Sequence, residues 1–551
     1  MKGYEYLARL LKAYGTTHVF YQEQILVKTL EEASRLGIKP ILAHSEFAAG
    51  YMADGYARIK KMPGVCFAQA IGAANLAASI NDAWLGTTPV IAITGRKPHD
   101  YQYRNAYQES PHHFFFEGLT KMNEEIHNPE TLPFFVRQAF REAVTGKPRP
   151  VHLEILGFTG IVQEEVDIEE EFSANPEFST YPAMRQEAPA EKVEQVAKAI
   201  DAAERPVFVL GRGAMISDAG QEILKIAEAN DIWITTTPDA KTIMDESHAL
   251  WAGIVGNYGM DCANRIVLDS DLVIYIGTQV SDQTTLDWSV PPRSAKTVQI
   301  DIDPAELGRN YTDCIGLVGD AKMVAAQLAS VMKEKKRESW IQKGNALISD
   351  TFEKQEKMWK DSSNPIKTNR LCKEISDILP DDAILVSDTG WSAVWSATMI
   401  RMKESQSYIR AAGSLGWSFP ASLGAKCAAP DRPVVCFTGD GGFLYLNTEM
   451  ETAARYGINT VTVINNNGLL AQCVPSAAYV YDNIADTKKS RTFTPVSFAR
   501  IAEEYGLLGI QVDKAEDIAP ALEKALAAGK PAVVEVLTDG DNNSPLYPLE
   551  K

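Results

Sequence analysis

Short apolar runs recur along the chain, each closed by Gly, Pro or Asp and followed by a longer stretch with helical spacing. Val65-Cys66-Phe67, Val90–Ile93, Val207–Leu210, Leu272–Ile276, Ala383–Val386 and Val533–Val536 belong to these runs. They are continuous rather than alternating, as in strands buried on both faces of a parallel sheet. Met1–Tyr14 is patterned as an amphipathic helix. Asn447–Tyr456 is another, carrying Met450, Ala453 and Ala454 on one face and stopped by Gly457. Two polar stretches divide the chain into thirds. One runs from about 163 to 191 through Glu169-Glu170-Glu171, the other from about 333 to 367 and ends in Ser362-Ser363-Asn364-Pro365. The second can form a helix from Trp340 to Trp359, but its charge density predicts an exposed connector. Strand and helix alternate within each third. The predicted fold is therefore α/β, with three doubly wound parallel-sheet domains at 1–165, 190–335 and 366–551.

Composition narrows the function classes. The chain has 551 residues, 45% of them hydrophobic, and a formal net charge of −18. That charge argues against nucleic acid and anionic membranes as partners. An anionic ligand would need a bridging cation. None of the seven Cys residues forms a C-x-x-C pair, which predicts reduced thiols in the cytoplasm. The N-terminus carries no signal pattern, and no apolar run approaches the about 18 residues of a membrane span.

The segment richest in chemistry lies near the C-terminus. Pro433–Thr438 predicts a buried strand, followed by Gly439-Asp440-Gly441-Gly442. A second strand, Thr460–Ile464, runs into Asn465-Asn466-Asn467. Gly439 and Gly441 leave room for a sharp turn beside an anion. Asp440 and Asn467 are hard oxygen ligands suited to Mg²⁺ or Ca²⁺, and a cation held there carries a diphosphate. Both segments leave the carboxyl ends of strands, where open α/β sheets bind ligands.

The spacing from Asp440 to Asn467 resembles the metal and diphosphate motif of thiamine diphosphate (ThDP) enzymes. His44-Ser45-Glu46 through Gly55-Tyr56-Ala57-Arg58 resembles the glutamate helix of the same superfamily. The resemblance runs the full length and is strongest toward acetolactate synthase, within a branch shared with pyruvate decarboxylase. It implies a pyrimidine-binding domain, a central domain and a diphosphate-binding domain. The cofactor would lie between the first domain of one subunit and the last of another, in a homodimer or homotetramer. Glu46 would hydrogen-bond N1′ of the aminopyrimidine from a dry site, with Asn75 nearby in the altered 70–75 turn. The Gly413 carbonyl would accept from the 4′-amino group, Leu415 would bend the cofactor, and the Leu469 carbonyl would join Asp440 and Asn467 on the metal. Asp388-Thr389-Gly390 reads as a diphosphate loop or as a plain turn. Gln108 aligns with an element that faces the thiazolium. His113, next to His112, reads as part of a proton relay or as one of a structural pair.

The pattern also departs from the family. Val19-Phe20-Tyr21-Gln22-Glu23-Gln24 stands where the family usually has V-F-G-x-P-G, so that side chains replace Gly and Pro close to the thiazolium, and Ile25 falls where some decarboxylases place an acid. Gln472 and Cys473 take substrate-facing positions. Gln24, Gln472 and Cys473 are thus candidate substrate contacts, although the 21–24 loop reads equally as solvent-facing. In the central third, Gly211, Gly213, Asp301 and Asp320 lie in loops similar to those that hold FAD or ADP, while Gln279 replaces the family's Arg. FAD, ADP and an empty site remain open. The expected activity is carbon–carbon lyase or carboligase chemistry on a 2-oxo acid or related carbonyl compound, of acetolactate synthase type. Simple decarboxylation, acyloin or diketone cleavage, and a non-catalytic paralogue are the alternatives.

Overall fold

The computed structural model describes residues 1–478 and 484–544. Three six-stranded sheets follow one another along the chain, and every pairing between their strands is parallel. The first contains β1 (His18–Tyr21), β2 (Lys39–Leu42), β3 (Gly64–Gln69), β4 (Val90–Arg96), β5 (Asn123–Glu125) and β6 (Val151–Leu156), in the order β2-β1-β3-β4-β6-β5. The second contains β7 (Pro206–Leu210), β8 (Trp233–Thr236), β9 (Trp251–Ile254), β10 (Leu272–Ile276), β11 (Thr297–Asp301) and β12 (Cys314–Val318), in the order β12-β11-β10-β7-β8-β9. The third contains β13 (Ile384–Ser387), β14 (Ser407–Arg410), β15 (Val434–Gly439), β16 (Val461–Asn466), β17 (Leu508–Val512) and β18 (Ala532–Leu537), in the order β14-β13-β15-β16-β18-β17.

The first and third sheets share one topology. Each reverses its winding between its first and third strands, β1/β3 and β13/β15. Read from its other edge, the second sheet has the 3-2-1-4-5-6 order of dinucleotide-binding folds and reverses between β7 and β10. These reversals open crevices at the carboxyl ends of the strands, and they coincide with the loops that the sequence singled out.

The first and third units share a continuous core. Helix α1 (Glu46–Lys60) crosses α3 (Ser418–Ala428) at very close range. Two glycines permit the crossing. A Cβ on Gly55 would stand 2.1 Å from the Ala421 carbonyl oxygen, and one on Gly424 would stand 1.9 Å from that of Met52. Beside the crossing, Arg58 donates to both carboxylate oxygens of Asp54 (2.7 and 2.9 Å) and to the Arg410 carbonyl (2.7 Å). Trp417 donates its indole N–H to the same Asp54 carboxylate (2.8 Å). All three side chains are buried, so the charges are paired and hydrogen-bonded as burial demands.

The polar stretch after residue 333 differs from its expectation. Glu338–Trp359 is one 22-residue helix packed on the second sheet, not an exposed connector. Its polar residues are spread around most of its circumference, but Trp340, Gly344, Thr351 and Gln355 face inward. Trp340 donates to the Pro206 carbonyl, Trp233 donates to the Trp340 carbonyl, and Gly344 lies directly against the Trp233 ring. A few inward positions fix such a helix despite a high charge density.

Replacing Gly55 by Val drives a side chain into a backbone carbonyl that cannot move aside. A destabilisation of about 1–3 kcal/mol or more is expected, read as a lowered thermal midpoint for the transition involving the first and third units. An unchanged midpoint would show that the crossing is not tightly specified.

Candidate functional site

The third sheet builds its site from the crevice at β13/β15. In register, Gly439 at the end of β15 lies beside Asn465 of β16. The loops that follow therefore run side by side, and they enclose a cavity of about 260 Å³. Thr389, Gly390, Gly413, Leu415, Gly439–Gly442, Asn467 and Leu469–Cys473 line it. Asp440 opens the helix Asp440–Leu446, and its Oδ1 accepts from the Gly441 N–H at 2.8 Å. Its Oδ2 is buried and has no hydrogen-bond partner among the described residues. Burial pushes this carboxyl up to about 6, against the backbone N–H groups of residues 441, 468 and 469 that stabilise its charge. An orphaned, desolvated carboxylate oxygen on an acidic protein is suited to a cation. Asn467 and Leu469 line the same cavity. The three asparagines divide their tasks. Asn465 accepts from Thr368 and Thr538, Asn466 donates to Glu535, and Asn467 accepts from the Leu469 N–H at 3.2 Å on the cavity wall.

Asp388 itself does not line the cavity. Its carboxylate accepts from the N–H groups of Thr389, Gly416 and Ser418 and from the Ser418 hydroxyl (2.6–3.2 Å), and it points into the protein. Burial raises its pKa, opposed by these same hydrogen bonds. With its acceptor capacity filled, Asp388 anchors the 413–418 loop, while its neighbours Thr389 and Gly390 face the cavity.

The other end of that loop has an anchor that the sequence did not reveal. Asp82, buried in helix α2 (Gly72–Leu85) of the first unit, accepts from the backbone N–H groups of Ala412 (3.0 Å), Gly413 (3.1 Å) and Ser414 (2.7 Å). The segment bearing Gly413 and Leu415 is thus held between two carboxylates from different units. Gly413 itself lies open to space, and a Cβ there would meet nothing within 4 Å. Packing within the chain therefore does not demand glycine at this position. No sequence signal marked Asp82, because a buried helix Asp next to Ala and Trp has no motif of its own.

The first unit places its candidates around the β1/β3 crevice and the ends of β2 and β4. Glu46 begins α1 just behind the N-cap Ser45. Asn75 donates to its Oε2 at 3.1 Å, and Gly72 leaves room for its Oε1. The carboxyl is half-buried rather than dry within one chain. Gln108 has a left-handed backbone (φ 55°) and donates to the Tyr107 hydroxyl. His113 donates its backbone N–H to Glu154. His112 lies apart from it in the core, hydrogen-bonded to Thr94, with its pKa pushed down to about 4 by burial and then by Arg96. Ile25 is buried against Gly95, whereas Gln24 is exposed. Glu46, Asn75, Gln108, His113 and Gln24 do not line the Asp440 cavity, so one chain does not bring the two groups together. Gln472 and Cys473 do line it, and Gln472 also donates to Tyr258 of the second unit (3.4 Å).

The second unit holds a larger cavity, about 320 Å³, at its β7/β10 reversal. Gly213, Gln279, Asp301 and Asp320 line it, while Gly211 packs behind it against Thr278. Arg212, Arg410 and Lys147 bring positive charge to its wall, and Asp239 pairs with Arg410 at 2.9 Å. Asp320 is paired with Arg185 at 3.0 Å. Burial pushes the Asp301 carboxyl up to about 6. Arg410–Ala412 reaches this cavity from β14, so its wall continues into the loop that carries Gly413.

Comparison with known proteins agrees with this geometry. Residues 1–114 match the N-terminal TPP binding domain of thiamine pyrophosphate enzymes, 193–328 their central domain and 388–536 their C-terminal TPP binding domain. A probable acetolactate synthase large subunit of Methanocaldococcus jannaschii is 32% identical over the whole of this chain and 94% of its own length. The acetolactate synthase large subunit of Corynebacterium glutamicum is 31% identical over 92% of this chain and 81% of its own. Isozyme 1 of Escherichia coli is 29% identical over 93% and 89%. With its three α/β sheets and these relatives, the chain belongs to the thiamine diphosphate-dependent enzymes, in their acetolactate synthase-like group.

Proposed function

We infer that the chain is a Mg²⁺- and ThDP-dependent carboligase acting on a 2-oxo acid, of acetolactate synthase type. The observation that carries this reading is the orphaned Oδ2 of Asp440 in a cavity lined by glycines at a sheet reversal. Asp440, Asn467 and the Leu469 carbonyl would hold the cation, with Thr389, Gly390 and Gly439–Gly442 around the diphosphate. ThDP, when bound, supplies the electron sink for making and breaking carbon–carbon bonds. The chain orients it, keeps water out and manages one proton. Glu46 would hold that proton on the pyrimidine side, its carboxyl steadied by Asn75, and Gly413 and Leu415 would shape the middle of the cleft. Gln108 and His113, with Gln24, Gln472 and Cys473, are the candidates for substrate contact.

The reading requires a homo-oligomer, because Glu46 and Asp440 do not meet at one cavity within a chain. Large apolar side chains stand exposed beside the first unit's loops, including Ile71 (57%), Tyr107 (76%) and Phe114 (69%), as an interface would need. The working units correspond to 1–165, 190–335 and 366–551. Among the described residues no helix is long and apolar enough to cross a membrane. Seven unpaired thiols suit a cytoplasmic setting.

For the central cavity we infer an ADP-containing ligand, either ADP itself or FAD. The 3-2-1-4-5-6 order, the glycines at its reversal and Asp301 at a strand end support it.

Three outcomes are expected. Glu46→Gln retains ThDP uptake measured by calorimetry but loses about 100-fold or more of pyruvate consumption, whereas Asp440→Ala loses uptake itself. Asp82→Asn places an amide NH₂ against at least one backbone N–H. It weakens ThDP binding by roughly tenfold or more, from a cost of about 1–3 kcal/mol, with turnover largely recovered at saturating cofactor. An unchanged dissociation constant would remove Asp82 from the argument. Acid-released ligand from purified protein should show adenine absorbance, with flavin fluorescence separating FAD from ADP. Its absence after reconstitution trials with both would leave the central cavity without a nucleotide role.

A further inference from the structure

A second cluster of ligating side chains lies at the carboxyl edge of the first sheet, and none of its residues lines the Asp440 cavity. His99 follows β4, Glu125 ends β5 and His127 stands two residues further on. One ring nitrogen from each histidine and one carboxylate oxygen of Glu125 lie within 4.8 Å of one another. The imidazole rings are 5.3 Å apart at an interplanar angle of 34°. Glu125 Oε1 is 3.6 Å from His127 Nδ1, and it is a buried atom with no hydrogen-bond partner among the described residues. Its sister Oε2 accepts from Arg96 at 3.2 Å. One oxygen of this carboxylate is therefore oriented by a guanidinium while the other is left toward the two imidazoles.

The local charge favours a cation. Arg96 is the single positive group among three carboxylates, Glu109 (3.2 Å), Glu125 (3.2 Å) and Glu154 (3.3 Å).

We propose that His99, Glu125 and His127 form a transition-metal site that takes Zn²⁺ through two imidazoles and one carboxylate. Mg²⁺ and Ca²⁺ call for all-oxygen shells and do not suit this donor set. Tetrahedral zinc bonds of about 2.0–2.1 Å place ligand atoms about 3.3 Å apart. The exposed histidines need only small rotations to close from their present separation. Three protein ligands leave the fourth position to water. Zinc here would tie the loop after β4 to β5. It would also draw Glu125 away from Arg96, which pairs as well with Glu154 and with Glu109, the neighbour of Gln108. The site is thereby linked to the loop proposed to meet the substrate, but its existence does not depend on the proposed activity.

The test uses untagged full-length protein stripped with chelator, then titrated calorimetrically with Zn²⁺ in excess Mg²⁺. One equivalent per chain is expected. His99→Ala/His127→Ala should lose this equivalent or weaken it at least tenfold, while Asp440→Ala retains it. Co²⁺ substitution should give the visible absorption of a four-coordinate ion in the wild type and not in the double variant. Both histidines are exposed, so circular dichroism of the variant should match that of the wild type. Zinc uptake that is absent from the wild type, or equal in the wild type and the double variant, would overturn the proposal.

Discussion

The close crossing of α1 and α3 is the constraint on which the rest of the molecule depends. Gly55 and Gly424 allow backbone to touch backbone, and no larger residue could be accommodated without moving a helix. The contact is too close for water, so the polar groups next to it must satisfy one another. Asp54, Arg58 and Trp417 do so in one connected set. Through Arg58 the set also holds the Arg410 carbonyl at the end of β14, where the chain enters the Ala412–Ser414 segment. Asp82, one helix away, then takes the next three N–H groups. Docking of the first unit on the third therefore sets the position of the Gly413 loop, and the loop's conformation is not a local property of its own sequence.

Two buried aspartates in the third unit illustrate how accounting for acceptors separates structure from ligand binding. Both are nearly inaccessible, and burial raises the pKa of both. Asp388 has its oxygens filled by the loop it anchors. Asp440 has one oxygen filled by the helix it begins and the other left without a partner. A buried anion costs free energy unless something compensates it, and burial of Asp440 outweighs the stabilisation it receives from the backbone N–H groups of residues 441, 468 and 469.

Much of this was legible in the sequence, for identifiable reasons. Continuous apolar runs can belong only to strands covered on both faces, which is why the three parallel sheets could be expected. The segments at Asp440, Asn467, Glu46 and Gly413 stood out because they combine glycines with specific polar groups at strand ends. What remained hidden was long-range. Asp82 pairs with N–H groups some 330 residues away, and nothing near it in the chain announces that contact. The packing of the Glu338–Trp359 helix was obscured because its many charges outweigh the few inward residues that fix it. His112 and His113 are adjacent, yet they lead to different environments, one in the core and one at the edge of β6.

The division of the site between units has a further consequence. A half-buried Glu46 beside exposed Ile71 and Asn75, and an open Gly413 whose neighbours are clamped from within, are two incomplete surfaces on one chain. Each is rigid: Glu46 sits on a helix locked by the Gly55 crossing, and Gly413 is held between Asp82 and Asp388. Because the same α1–α3 contact fixes both, it also fixes their separation within a chain, and no small rearrangement can bring them together. On the proposed reading, a second copy would supply what is missing to both surfaces at once, since a two-fold axis relating them would face Glu46 of each to the Gly413 loop of the other. The intrachain crossing is then more than a matter of packing, because it holds the two surfaces apart within one chain.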